Sequence, residues 1–370
     1  MKALMTSVKP VGGPARATIA SVAEDAGVSI ATVSKVLNGR GDVAPETRTR
    51  VEASLERHSY RRRTKRQPPA TGHIELVFHT LGADWAMEII QGVEAVTAPA
   101  KVAVVLSHLE GKHRPPEDWV DDVIARRPLG VLLVVSSLTE AQESQLARQR
   151  IPVVTVDTDS STTASVPTVG SNNWNGGLMA ARHLIELGHR RMGVIGGPQD
   201  MLCSQARLAG FRLGHDEAGL ELDPELVRYG NFYLEAGYRH GTALLDRPDR
   251  PTAIFAGSDM QAMGVLRAAR RLGLDVPGQL SLIGYDNLPL SAWTDPALTT
   301  VDQPLRDMAG TATRMLLDLA RGIEPALTRV DLVTELVVRE STAPPDTVGD
   351  APVADSTGAD SAGALKERFT

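Results

Sequence analysis

From residue 73 to residue 338 the chain alternates short apolar runs with stretches of helical periodicity, and that alternation limits the available folds more than any other feature. Apolar runs at 74–78, 102–106, 130–135 and 153–156 are separated by amphipathic stretches at 85–96, 118–126 and 140–149. A second set follows: helix 173–187, run 192–195, helix 206–217, run 227–229, helix 236–245, run 253–256, helix 261–271 and run 281–285. The runs are too short for buried helices and lack polar alternation, which fits strands covered on both faces. Strands bracketed by helices of this length imply parallel sheets with right-handed crossovers. The expected fold is therefore α/β and two-lobed, each lobe a parallel sheet with helices on both faces. A cleft is expected between the lobes, because ligands sit beyond the carboxyl ends of parallel strands. A late helix at 302–321 is expected to return to the first lobe, with a run at 330–338 following it.

The first 72 residues are different in kind. They carry 13 Lys/Arg against 6 Asp/Glu, while the rest of the chain carries 26 against 39, so a formal charge of −6 hides a basic head on an acidic body. Such a split points to a polyanion-binding module, or else to chance clustering in a surface tail. Local pattern favours the module. Thr18 is a good N-cap for a run in which Ile19, Val22, Ala23 and Ala26 recur at helical spacing. Gly27 suits a tight turn, and Ser29 is a second N-cap that opens a helix reaching Leu37. In that second helix Val33, Val36 and Leu37 make the buried stripe, leaving Ile30, Ala31, Thr32, Ser34 and Lys35 outward. A third helix is expected from Pro45 to Arg57, with Val51 and Leu55 inward and Arg48 and Arg50 able to meet phosphates. The pattern is that of an all-α helix-turn-helix, whose second helix enters the major groove; two packed helices of no special function share its periodicity.

These residues resemble a known family. Thr18-Ile19-Ala20-Ser21-Val22-Ala23-Glu24-Asp25-Ala26-Gly27-Val28-Ser29, then Ala31-Thr32-Val33-Ser34-Lys35-Val36-Leu37-Asn38-Gly39, Val43-Ala44-Pro45-Glu46-Thr47-Arg48 and Tyr60, look like the headpiece of LacI-family transcription regulators. The resemblance implies phosphate contacts from Thr18, Ser29, Thr32, Ser34 and Asn38, and base reading by Ile30, Ala31 and Lys35. Lys35 stands where the family usually has Arg; it can still donate to guanine, without the planar fork. The connector departs from the family pattern, which has a short hinge helix ending in a Leu that wedges into the minor groove. Here Tyr60 is followed by Arg61, Arg62, Arg63, Thr64, Lys65, Arg66 and Gln67, then Pro68-Pro69, and no Leu occurs before Leu76. The prolines cannot continue a helix, so little helix is expected between Arg61 and Pro69. Arg61, Arg62, Arg63 and Lys65 suit the phosphate backbone or an A·T-rich minor groove; a solvated linker is the other reading.

The body resembles the family's effector domain, which is periplasmic-binding-protein-like. The matching residues are Val156-Asp157, Gly188-His189, Arg207-Leu208-Ala209-Gly210-Phe211, Ser258-Asp259, Gly284-Tyr285-Asp286 and Leu298-Thr299-Thr300-Val301. The resemblance implies a ligand-facing set of Trp85, Asp157, Arg207, Phe232, Ser258, Asp259, Asp286 and Gln303. Acidic and Arg side chains make charge-assisted hydrogen bonds to hydroxyls, and Trp or Phe covers the apolar face of a sugar ring. Singly, Trp85 and Phe232 read equally as core, Asp157 and Asp286 as helix caps after strands, and Cys203 as a buried inert thiol.

Enzymatic readings fare poorly. Gly193-Val194-Ile195-Gly196-Gly197 is not a dinucleotide fingerprint, no P-loop, GxSxG or HExxH is present, and the nine His are scattered. No catalytic residue, metal ligand set or cofactor is expected. One cysteine cannot form an intramolecular disulfide, no apolar run is long enough to span a bilayer, and residues 1–20 hold no leader-like apolar segment, so a cytoplasmic, nucleoid-associated protein is expected. The expected boundaries are a disordered 1–16, a headpiece at 17–60, a linker at 61–72, a two-lobed domain at 73–341 and a disordered tail at 342–370. The first lobe takes about 73–172 and 303–325, and the second 173–302 and 326–341. The expected function is a homodimeric repressor bound to double-stranded operator DNA and controlled by a sugar or oligosaccharide. A purine or sugar-phosphate effector, or a purely architectural DNA binder, stays open on sequence grounds.

Overall fold

The computed structural model describes residues 19–37, 43–58, 72–81, 84–110, 114–157 and 166–345. They fall into two compact units, Met1–Pro69 and Ala70–Thr370. The disordered terminus expected at 1–16, the basic linker and the tail beyond 345 lie outside the described residues.

Among the described residues the first unit has three helices: α1 (Ile19–Asp25), α2 (Ile30–Leu37) and α3 (Pro45–Arg57). Val22, Ala23, Ala26, Val33, Val36 and Val51 form its core. The turn between α1 and α2 works because Gly27 adopts φ +63°, a conformation that costs glycine little. The Val28 amide then donates back to the Ala23 carbonyl at 3.0 Å. Ser29 caps α2, its Oγ accepting from the Thr32 amide at 3.1 Å. A polar tie not foreseen from sequence holds α3 to α1: Ser54 is buried and donates to Asp25 Oδ2 at 2.6 Å, and Arg57 reaches the same carboxylate at 2.9 Å.

The second unit has two sheets. The first-lobe elements are β1 (His73–Phe78), α4 (Asp84–Ala100), β2 (Ala103–His108), α5 (Trp119–Arg126), β3 (Val131–Val134), α6 (Glu140–Arg148), β4 (Val153–Val156) and β5 (Thr168–Ser171). The second lobe follows with α7 (Asn173–Glu186), β6 (Met192–Gly196), α8 (Leu202–Glu217), β7 (Val227–Tyr229), α9 (Leu234–Leu245), β8 (Ala253–Ala256), α10 (Asp259–Arg271), β9 (Ser281–Asp286) and β10 (Thr299–Asp302). The chain then makes α11 (Leu305–Ala320), β11 (Arg329–Leu332) and β12 (Glu335–Val337). Strand order is β11-β5-β4-β3-β1-β2 in one sheet and β12-β10-β9-β8-β6-β7 in the other. All pairs are parallel except β12, which runs antiparallel to β10. Apolar side chains fill both faces of both sheets, so the structure has four cores in this unit, one under each pair of helices. No helix among the described residues is long and apolar enough to cross a membrane.

Three differences from the sequence reading bear on the lobes. The run at 330–338 is two strands in two sheets: β11 pairs with β5 in the first lobe, and only β12 belongs to the second. The chain therefore crosses between lobes at 333–334, not near 326. Strands β5 and β10 carry Thr and Ser where an apolar run would be expected, and their hydroxyls are satisfied internally; Thr155 and Thr168 bond each other at 2.7 Å. The expected tail is docked at its start: Ser281 Oγ and a ring nitrogen of His189 each bond the Ala343 carbonyl at 2.9 Å, and Ser341 Oγ donates to the Leu282 carbonyl at 2.6 Å.

Helices α7 and α8 approach so closely that a methyl group on Gly210 would land on the Trp174 carbonyl oxygen. Gly210→Ala should cost roughly 1–3 kcal/mol through overpacking. Chemical denaturation reads this directly, and a variant as stable as the parent would show that the helices part freely.

Candidate functional site

Two surfaces gather the residues singled out from sequence. In the headpiece, Ile30, Ala31 and Lys35 are exposed and Thr32 and Ser34 half-buried, while Val33 and Val36 point into the core. Ile30 is 56% exposed, which folding does not require of an isoleucine. It stands at the first turn of α2, where an apolar side chain is suited to a thymine methyl. The Ser29 and Thr32 hydroxyls bond each other at 2.9 Å, so the cap and the candidate phosphate contacts are one hydroxyl pair. Thr18, Asn38, Arg61, Arg62, Arg63 and Lys65 lie outside the described residues.

The second surface is the cleft, which encloses about 280 Å³. Six of the eight expected residues line it: Trp85, Asp157, Arg207, Phe232, Ser258 and Asp286. Trp85, at the start of α4, packs edge-on against Phe78 with centroids 6.4 Å apart. Phe232 enters from the other lobe with φ +64°, and Ser258 holds it there by donating to its carbonyl at 2.7 Å. Its ring occupies the place a Cβ on Gly197 would take, which accounts for the glycine pair that ends β6. Val135, Asp157 and Asp286, each at a strand end, also sit at positive φ, 51°, 46° and 105°. Left-handed backbone at four cavity positions is conformational cost concentrated where side chains must be aimed.

Arg207 is the hub. Its Nε donates to Asn173 Oδ1 at 2.7 Å, one terminal nitrogen to the Gly257 carbonyl at 2.5 Å, and the other to Gln303 Oε1 at 2.7 Å. The guanidinium lies 3.6 Å from the Tyr285 ring centroid and 3.9 Å from Asp286 Oδ1. These three bonds use three of the five N–H groups of an arginine, leaving two outside them. Burial pushes the carboxyl of Asp157 up and that of Asp286 well up, against the opposing pull of Arg207. Cys203 is buried in the cavity wall, and burial pushes its thiol up to about 12, which leaves it unreactive as a nucleophile.

Two expected residues are placed otherwise. Gln303 stands behind the cavity at the crossover into α11. Its Oε1 accepts from Arg207 and Ser171, and its Nε2 donates to Asp157 Oδ2 at 3.2 Å. Asp259 does not face the cleft at all. Ser258 occupies the cap of α10, so Asp259 falls in the first turn and turns inward, accepting from the Leu288 amide at 2.7 Å and from Thr300 Oγ1 at 2.6 Å. Burial pushes its carboxyl up to about 7. The cavity also holds residues that sequence reading missed. Tyr233 and, from the opposite lobe, Thr80 line it, and Met201 supplies apolar wall. The available signal for Tyr233 was its place beside Phe232 in a chain that is only 4% aromatic.

A three-helix headpiece whose second helix turns Ile30, Ala31 and Lys35 outward, followed by a two-lobed cleft domain, is an architecture suited to a DNA-binding protein that takes a small ligand. Comparison with known proteins agrees. Residues 18–63 match the model of bacterial regulatory proteins of the lacI family, and residues 181–342 match a periplasmic binding protein-like domain. The chain is 35% identical over 331 residues to the HTH-type transcriptional repressor PurR of Escherichia coli, covering 88% of this chain and 97% of that one. Among solved structures it is similar to the transcriptional regulator CelR–cellobiose complex, with 32% identity, a TM-score of 0.66, and coverage of 88% of this chain and 100% of that one. It also shares the fold of the lac repressor dimer bound to operator and an anti-inducer, at 24% identity and a TM-score of 0.63 over 88% of this chain and 99% of that one. The chain belongs to the LacI family and is a DNA-binding transcriptional repressor.

The raised carboxyl of Asp259 has a measurable consequence. The folded protein keeps a proton there that the unfolded chain releases near pH 4, so this contribution to stability is full below about pH 4 and is lost as pH rises to about 7. Asp259→Asn removes the titration. Denaturation at pH 4.5 and pH 8 should show the variant gaining on the parent as pH rises, whereas parallel losses at both values would mean that Asp259 is ionised throughout.

Proposed function

We propose that the chain is a homodimeric repressor whose operator affinity is set by a neutral polyhydroxylated ligand, a sugar or short oligosaccharide, bound between the lobes. One observation carries the effector assignment. Asp157 and Asp286, one carboxylate from each lobe, are buried in the same cavity around a single guanidinium, with Trp85 and Phe232 supplying aromatic faces. Carboxylates accept from hydroxyls, the spare N–H groups of Arg207 donate to hydroxyl oxygens, and the rings cover the C–H face of a pyranose. A phosphate would bring further negative charge to two carboxylates facing one arginine. The 32% identity to CelR in its cellobiose complex supports the same class. A ligand that touches both lobes favours one lobe arrangement over others, and only that difference in affinity can alter DNA binding.

On DNA, Ile30, Ala31 and Lys35 read bases. Thr18, Ser29, Thr32, Ser34 and Asn38, with linker residues Arg61, Arg62, Arg63 and Lys65, hold phosphates. One helix-turn-helix covers one half-site, so two protomers on paired half-sites are needed for a full operator, and the protein acts in the cytoplasm.

A thermal-shift screen of the full chain against sugars, sugar phosphates and nucleobases tests the effector. A disaccharide such as cellobiose should raise the melting temperature with concentration. Asp286→Asn should weaken that ligand roughly tenfold or more by removing a buried acceptor. A response to nucleobases or sugar phosphates alone overturns the assignment. For DNA, operators selected from random duplexes should be re-ranked when Ile30 is exchanged for Asn. Arg62→Gln should instead weaken every duplex alike and lower the salt slope by about one. An unchanged ranking in the Ile30 variant would mean that α2 does not read bases.

A further inference from the structure

Both lobes carry basic residues where helices lead into strands, the second lobe at Arg190, Arg191, Arg250, Arg270 and Arg271; the first lobe's edge differs in lying where the chain enters that lobe. In a parallel sheet every strand begins at the same side, and so does the end of every helix that leads into a strand. In the first lobe that side carries Lys101 before β2, Arg126 and Arg127 before β3, and Arg148 and Arg150 before β4, all exposed. Lys101, Arg127 and Arg150 hold the left-handed conformation, with φ of 57°, 52° and 58°, in the turns between helix and strand. The sheet order β4-β3-β1-β2 spreads these positions across three inter-strand spacings, or about 15 Å.

Most acidic residues of the same helices lie at the other side; of the remaining two in α4, Glu88 pairs with Arg306 and Glu94 is exposed along the helix. Asp84, Asp121, Asp122, Glu140 and Glu143 are all in first turns. At the basic side Glu75 is buried and paired with Arg126 at 2.6 Å. Farther along the edge Arg321 pairs with Asp318, and Glu324 is exposed. Lys101, Arg127, Arg148 and Arg150 make no ion pair among the described residues. A helix dipole favours one cation per helix end, worth a few tenths of a kcal/mol; the Arg pairs at the ends of α5 and α6, like Arg270 and Arg271 of α10, exceed that.

This is also the edge at which the chain enters the lobe. The Ala103 amide donates to the Gly72 carbonyl at 3.0 Å, and the Leu129 amide to the His73 carbonyl at 2.8 Å. Whatever its path, the chain from Arg66 to Gly72 spans at most about 20 Å. The five basic residues at 61–66 precede Gly72 by 6 to 11 residues, a contour length of at most about 20 to 40 Å.

We propose that this edge of the first lobe is a second DNA-contact surface, taking the sugar–phosphate backbone that flanks the operator. About 15 Å covers roughly four base-pair steps at 3.4 Å each, enough for several phosphates. The contact is independent of sequence and adds to the headpiece's hold on phosphates, in a chain whose connector lacks the Leu wedge.

The test uses the full chain, fluorescence anisotropy, and an operator selected from random DNA. That operator is prepared in two lengths: trimmed to the selected core, and embedded in about 40 base pairs. The parent should bind the long duplex more tightly and with a steeper salt dependence, by roughly two counterions or more. The quadruple variant Lys101→Gln/Arg127→Gln/Arg148→Gln/Arg150→Gln should bind the long duplex roughly tenfold more weakly, with the parent's slope on the trimmed duplex. Arg62→Gln/Lys65→Gln should lose affinity on both lengths. Circular dichroism melting checks that the quadruple variant is folded, and the milder Arg127→Glu/Arg150→Glu carries the same expectation should it not be. The proposal is overturned if the variants keep the parent's affinity and slope on the long duplex, or if their losses are equal on both lengths.

Discussion

The buried guanidinium of Arg207 holds the cleft together. It joins the start of α7 through Asn173, the end of β8 through Gly257 and the crossover into α11 through Gln303, and it lies on the face of Tyr285 beside Asp286. Two carboxylates can be buried in one small cavity only because this cation is fixed among them. Removing one member of such a cluster leaves the others desolvated and unpaired, which is costlier than never having built it. Arg207 thus both lines the cavity and ties its walls together, and truncating it removes both contributions at once. Lysine would not replace it, since one ammonium cannot serve three acceptors in a fixed plane.

Where an element buries an apolar face its period shows in sequence, and so α6, expected at 140–149, is found at Glu140–Arg148, and β7 at Val227–Tyr229. Strands β5 and β10 were missed because they sit at the crossovers between lobes and are rich in Thr and Ser, polar side chains that bond one another once folded. The merging of β11 with β12 has the same root: a two-residue crossover at Val333-Thr334 leaves no break in an alternating pattern. In the cleft, Asp157 and Asp286 are legible only through the family resemblance, since their place at strand ends fits a helix cap equally well; the structure puts both in the cavity wall. Asp259 was misplaced because adjacent polar residues at a helix start point different ways, and only the cap geometry shows which one turns inward. The Asp25–Ser54–Arg57 tie spans 32 residues of sequence and has no local signature.

The cleft also concentrates conformational cost. Val135, Asp157, Phe232 and Asp286 all hold positive φ, and each side chain is thereby turned from its strand or loop into the cavity. The neighbours that hold them there are specific: Ser258 on Phe232, Gln303 on Asp157, Arg207 beside Asp286. A cavity aimed in this way is preorganised, so less ordering remains to be done when a ligand arrives.

The three crossovers between the lobes lie side by side and bond one another: Ser171 to Gln303, Thr334 to the Asn172 carbonyl, and the Asn172 amide to the Leu332 carbonyl. Three adjacent strings tied at one level define a single axle, so the lobes have essentially one way to turn. Chemistry in the cavity then determines which compounds fit, while the axis of any turn between the lobes is set by the crossovers. The sensing half of such a chain can be retuned, by chance or by engineering, without rebuilding the half that reads DNA.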